Sequence, residues 1–126
     1  LERHLEQQRR LVAGEVATIS QVQLFVVSSA MHHAIIDCSQ NAFFIESLRR
    51  VDRLRRLIEY RQSVDREKAR LRCAEHVHIL ELILQGRNPE AAEAMRSHLT
   101  ALGPIKAQSY LQPAAGEGLH PAAGQG

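Results

Sequence analysis

Three of the seven histidines in this chain, His32, His76 and His98, fall inside the apolar stripes of three different helical segments. A buried neutral imidazole needs a partner for its ring nitrogens, and three that converge multiply that requirement. A metal ion satisfies all three at once. Neutral imidazole suits zinc, nickel, copper or iron, and manganese when oxygen ligands are added. Three protein ligands leave at least one coordination position open, for water or for the carboxylate of a small molecule. Taken singly, each of these histidines reads as a satisfied core or interface residue. Their shared register is what sets the metal reading beside that one.

Other combinations are weaker. Glu75-x-x-His78 matches half of a ferritin-like di-metal pattern. No second copy accompanies it, so Glu75 and His78 are expected at the edge of their stripe or in solvent. His33 follows His32 directly and points about 100° away from it, which makes it a poor co-ligand. His4 and His120 lack a supporting pattern. Arg49, Arg50, Arg53, Arg55, Arg56 and Arg61 form a basic run. Glu46, Asp52 and Glu59 are interspersed and no aromatics alternate, so a solvated helix face is favoured over a nucleic-acid patch. Arg55 stands at the border of the buried face, where an inward guanidinium beside a metal cavity would grip a carboxylate. Nothing resembles a nucleophile elbow around Ser28 and Ser29, a phosphate loop or a paired-carboxylate site.

The elements that must position these residues read as helices, with almost no strand signal. Leu1 to Ala13 is a short amphipathic segment with Leu1, Leu5 and Leu11/Val12 on one side, and Gly14 is its break. Ser20 caps a helix to about Cys38 with the stripe Phe25, Ser28, His32 and Ile35/Ile36. Asn41 caps a third helix to about Gln62, whose buried face is expected at Phe44, Leu48, Val51, Leu54 and Ile58. Ser63 or Asp65 caps a fourth, running to Gln85, with Ala69, Cys73, His76, Leu80 and Ile83 inward and Gly86 as stop. Asn88-Pro89-Glu90 gives N-cap, first-turn proline and first-turn carboxylate. The last helix turns Ala91, Met95, His98 and Leu102 to one side, and Gly103-Pro104 is expected to kink or end it. The unit PAAG-x-G occurs twice from Pro113 onward, and that tail is expected to be disordered. The expected architecture is therefore all-α, an antiparallel bundle of about five helices over residues 1–112, followed by a tail over residues 113–126.

Size and composition set the outer bounds. The 126 residues suffice for one domain with one core, and 44% apolar with 24% charged residues is the balance of a soluble globular chain. A net charge of +2 does not by itself point to nucleic acid. Cys38 and Cys73 lie in apolar helical patterns and read as core thiols of a reducing compartment. No apolar run approaches the ~18 residues of a membrane span, and no signal peptide is visible. The chain begins at Leu1 already in helical pattern, which suggests that an N-terminal portion precedes it.

Three segments resemble a known family. Met31-His32-His33-Ala34-Ile35-Ile36 with Cys38-Ser39-Gln40-Asn41-Ala42-Phe43-Phe44 is similar to the "FHxAI…ASGNPFL" stretch of the FCD domain. Glu75-His76-Val77-His78-Ile79-Leu80 resembles its "EHxxI". Gly86 to Leu99 resembles its "GDxxAAxxAMxxHL". The motifs stand in order over roughly Ser20 to Leu102. FCD domains are the C-terminal sensing domains of FadR-type regulators in the GntR superfamily of bacterial transcription factors.

That resemblance implies a helical bundle around a cavity, in which one aspartate and three histidines hold a divalent metal in many members. A small carboxylate effector binds at or near the metal and alters a dimer that carries an N-terminal winged helix-turn-helix. The family histidines map onto His32, His76 and His98. The aspartate position maps onto Ser28, so the site would lose a negative charge, and water or the effector's carboxylate would fill the vacancy. The family's "GD" turn is Arg87-Asn88 here, with Asn88 still able to cap. The family's first sensing helix is expected to be missing or cut short, and this chain alone is not expected to recognise an operator.

The resulting expectation is a cytoplasmic, homodimeric effector-sensing domain, not an enzyme. It would hold a divalent transition metal (zinc first, nickel or manganese as alternates) on His32, His76 and His98. Ser28 would stand at the vacated ligand position and Arg55 on the effector. The rivals are a His-ligated metalloenzyme of helical-bundle type and a metal-free dimerisation bundle.

Overall fold

A computed structural model describes residues 1–59 and 64–111. They form five helices: α1 (Glu2–Ala13), α2 (Gln21–Asp37), α3 (Ala42–Glu59), α4 (Arg66–Leu84) and α5 (Asn88–Leu111), with a single 3-10 turn at Glu15–Ala17. No strand occurs among the described residues, so the all-α expectation holds. The tail from Pro113 with His120, the segment holding Arg61, Gln62 and Ser63, and the side chains of Phe44, Ile58 and Leu102 lie outside the described part.

The helix ends follow local chemistry. The Ser20 hydroxyl accepts from the Gln23 amide at 3.1 Å, Asn41 Oδ1 from the Phe43 amide at 3.1 Å, and Asp65 Oδ1 from the Lys68 amide at 3.1 Å. Each satisfies a donor that the first helical turn would otherwise leave unpaired. Gly86, at φ 73°, closes α4. Its amide donates to the Ile83 carbonyl at 3.0 Å and the Arg87 amide to that of Leu82 at 2.9 Å, a Schellman pair that favours glycine because φ is positive. Gly14 ends α1 at φ 149°.

Two ends differ from expectation. The Arg87 carbonyl accepts from the Ala91 amide at 3.0 Å, so α5 begins at Asn88 itself and Asn88 is its first residue instead of its cap. Gly103-Pro104 does not end α5, which runs on to Leu111.

Helix α4 is the hub, packing on α1, on α5 and on the 3-10 turn, while α3 packs on α2. Two apolar clusters flank the centre of the α1–α4 pair. One joins Leu11, Val16, Ala69 and Cys73. The other joins Leu5, Met31 and Leu80. Leu5 meets Leu80 and Leu11 meets Cys73, so the two helices run antiparallel, with Gln8 and His76 in the layer between the clusters. Arg66 fastens the turn to α4 by donating from its guanidinium to the Val16 carbonyl at 3.1 Å and the Ile19 carbonyl at 2.7 Å.

Helix α3 departs most from its expected face. Val51 is 49% exposed and Leu54 64%, whereas Ile45, Leu48 and Arg55 are half-buried and Asp52 is buried. The spacing 45, 48, 52, 55 is itself a helical stripe. It is turned from the apolar one because Asp52 meets His33 and Arg55 meets the Phe25 ring, both on α2. Cys38 is likewise exposed and not a core thiol. It caps the end of α2, where its thiol donates to the Ala34 carbonyl at 3.3 Å.

Candidate metal centre

His32 from α2, His76 from α4 and His98 from α5 meet in the interior, all three buried. The ring centroids lie 5.1 Å apart for His32–His76, 4.6 Å for His76–His98 and 5.9 Å for His32–His98. The Nε2 atoms point at one another. His76 Nε2 is 3.3 Å from His32 Nε2 and 3.0 Å from His98 Nε2. One ligating nitrogen from each ring fits within a sphere of mutual distances under 4.8 Å. Two imidazole nitrogens bound at ~2.0–2.1 Å to one tetrahedral ion lie roughly 3.3 Å apart, so the spacing already suits a shared cation.

The outer nitrogens decide what the inner ones present. His98 Nδ1 contacts the Glu75 carboxylate. An ionised carboxylate only accepts, so Nδ1 donates, and a neutral His98 ring keeps a bare lone pair on Nε2. His76 Nδ1 lies 3.2 Å from Gln8 Oε1, which also accepts, so the His76 Nε2 is a lone pair as well. With both rings neutral in these tautomers, two lone pairs face each other across 3.0 Å. A cation placed there turns a repulsion into two bonds. A second observation agrees: burial pushes the His76 pKa down to about 2, with the neighbouring His32 and His98, then Arg72 and Arg55, adding to the depression. His76 is therefore held in the neutral form that a metal requires.

Gln8 and Glu75 had no place in the sequence-derived site. Gln8 is fully buried, and its Nε2 has no hydrogen-bond partner. An orphaned buried donor costs about 1–3 kcal/mol, so the Oε1 contact with His76 is what retains the residue there. Its signal in the sequence is spacing: Gln8 lies three residues from both Leu5 and Leu11, on the buried face of α1. Glu75 was expected at the edge or in solvent. It is half exposed, yet its carboxylate turns inward to His98. His78 is exposed, as expected.

His33 is not beside the centre's nitrogens but paired to Asp52, with Nε2 2.5 Å from Oδ2. Asp52 Oδ1 also accepts from the Arg55 guanidinium at 3.1 Å. Asp52 is thus a buried bridge between α2 and α3, not a member of a solvated charged face. The remaining basic run fits that face better, with Arg50 and Arg53 3.6 and 3.7 Å from Glu46. Arg55 is largely sheltered and lies 5.5 Å from the Phe25 ring centre, close enough to the centre to disfavour protonation of His76. Ser28 is half-buried one turn before His32, where its uncharged hydroxyl adds no charge to the set. A surface groove of about 820 Å³ lined by α1 residues and Leu84 is separate from the three histidines.

These features define an all-helical domain with a buried three-histidine centre able to hold a metal ion. The chain belongs to the FCD domain family, whose sequence pattern matches residues 1–101. The match begins well before Ser20, so α1 and its Gln8 lie inside the family's segment. No curated protein and no solved structure matches the chain. Among the described residues no helix is long and apolar enough to cross a membrane.

Proposed function

We propose that this domain senses a small carboxylate at a divalent metal held by His32, His76 and His98, as the regulatory part of a GntR-type, FadR-like transcription regulator. The observation that carries the reading is the convergence of three buried Nε2 atoms, two of them fixed as lone pairs by Glu75 and Gln8. A bound zinc, nickel or manganese ion would supply a Lewis-acidic position for a carboxylate oxygen. Ser28 leaves the ligand set neutral and one position open to the effector. Arg55 brings a fixed positive charge beside the same centre and grips the carboxylate's second oxygen.

Arg55 is tied to Asp52, and Asp52 to His33, so the residue that grips the effector is also part of the α2–α3 packing. An effector that draws on Arg55 therefore favours one α2–α3 arrangement over another. In a homodimer this difference in affinity shifts the population of dimer geometries. Operator contacts belong to a winged helix-turn-helix partner domain, and the setting is the bacterial cytoplasm. The metalloenzyme alternative needs a general base at the open position. Glu75, the nearest carboxylate in sequence, is engaged on the Nδ1 side of His98, opposite to Nε2.

The test is calorimetric titration of the metal-loaded chain with mono-, di- and tricarboxylates of two to six carbons. One carboxylate binding to the loaded form, at least tenfold more weakly to Arg55→Ala and not to the stripped form, supports the reading. No binding across the panel contradicts it.

A further inference from the structure

We propose that Gln8 and Glu75 are the positioning residues of this centre, and that Glu75 restores through His98 the negative charge that Ser28 does not provide. The inference rests on the metal reading above and deepens it. A metal-bound imidazole commonly donates its other N–H to a carboxylate or carbonyl, which fixes the tautomer and ring plane and raises the basicity of the ligating nitrogen. Both forms occur here. His98 donates to the Glu75 carboxylate, and His76 donates to the Gln8 amide oxygen over 3.2 Å.

The two partners come from different places. Glu75 is the residue before His76 on α4, yet it serves the ring of α5. It staples the two helices that carry two of the three ligands. Gln8 comes from α1, which carries no ligand, and brings that helix into the centre. A carboxylate one hydrogen bond removed from the ligand acts on the ion through the polarised ring. Three neutral imidazoles plus Glu75 thus carry one formal negative charge near the ion, the count that a directly bound aspartate would otherwise supply. Apolar packing alone does not call for Gln8. It is fully buried in step with Leu5 and Leu11 with its Nε2 unpaired, and its amide oxygen is spent on the His76 ring.

The experiment titrates cobalt(II) into the stripped 126-residue chain, against a chromophoric competitor. It records Kd and the visible d–d spectrum, with a melting curve of each metal-free form. The variants are Glu75→Gln, Glu75→Asp, Gln8→Leu and Gln8→Glu, with the exposed Glu93→Gln as control. Glu75→Gln and Gln8→Leu are expected to weaken cobalt binding roughly 10–100-fold and shift the d–d bands. Without metal, Gln8→Leu exchanges the unpaired Gln8 Nε2 for an unpaired His76 Nδ1, so its melting temperature should change little while its cobalt affinity falls, a separation that a purely structural role would not produce. Glu75→Asp and Gln8→Glu, which keep an acceptor, should recover most of the affinity. Cobalt bound by wild type and by Glu75→Gln and Gln8→Leu with equal Kd and spectra would overturn this proposal and leave the metal reading intact. No cobalt bound by wild type would overturn both.

Discussion

Gln8 and His76 are 68 positions apart in the chain, yet the Gln8 Oε1 stands 3.2 Å from the His76 Nδ1. The pair forms a polar layer between two apolar clusters along the antiparallel α1–α4 packing. It fixes which nitrogen of His76 faces the other histidines. Helix α1 is therefore part of the centre and not only its cover.

The metal-free chain should lose stability in acid, and His76 sets the window. Its folded pKa of about 2 lies below the ordinary value of 6.5. Between those values the unfolded chain holds a proton that the folded chain lacks. Stability is thus highest above pH 6.5 and declines as pH falls toward the folded pKa, by at most about 1.4 kcal/mol per pH unit from this group. Urea midpoints of stripped protein at pH 7.5 and pH 5 should show the decline, and His76→Gln should reduce it by roughly 2 kcal/mol. Parallel pH profiles for the two proteins would refute the assignment.

Asp52 holds α3 to α2 by accepting from both Arg55 and His33. Removing one partner of a buried ion pair costs about 3–5 kcal/mol. Arg55 and His33 retain some contact with water, with side chains 18% and 24% exposed, so Asp52→Ala is expected to cost about 2–3 kcal/mol. Asp52→Asn, which keeps one acceptor, should cost less. Denaturant melts of the two variants give the comparison, and an unchanged midpoint for the alanine variant would count against the bridge.

The two thiols should differ sharply in reactivity. Burial raises the Cys73 pKa to about 11, against a small opposing effect of Arg72, while Cys38 is exposed. The thiolate is the reactive form. A disulfide reagent at pH 8 should therefore label one thiol per folded chain, mapped to Cys38 by mass spectrometry, and the second only after denaturation. Rapid labelling of Cys73 in the folded chain would show that the cluster around it opens freely.

The helices and the three histidines were legible in the sequence because caps and stripes are local. Ser20, Asn41, Asp65, Gly14 and Gly86 all act where their chemistry places them. The face of α3 was not legible. Its apolar residues suggested one stripe, but Asp52 and Arg55 turn inward because His33 and Phe25 of α2 receive them, and a partner on another helix leaves no mark in local periodicity. Glu75 is exposed, as expected, but its contact with His98 left no local mark for the same reason, since that partner lies on α5. Gln8 did leave a mark, a polar residue in step with Leu5 and Leu11. Only the position of His76 gives that mark a meaning.

His32, His76 and His98 are proposed to hold one metal ion together. The most direct measurement is the metal content of the purified chain by plasma mass spectrometry after zinc loading and desalting. Wild type would be set beside His76→Ala and His98→Ala, with a melting curve before and after chelator. About one zinc per wild-type chain is expected, with a lower melting temperature once it is stripped and little metal retained by either variant. Equal metal content in all three proteins, or none in wild type with a melting curve indifferent to chelator, would contradict the proposal and leave a metal-free helical bundle.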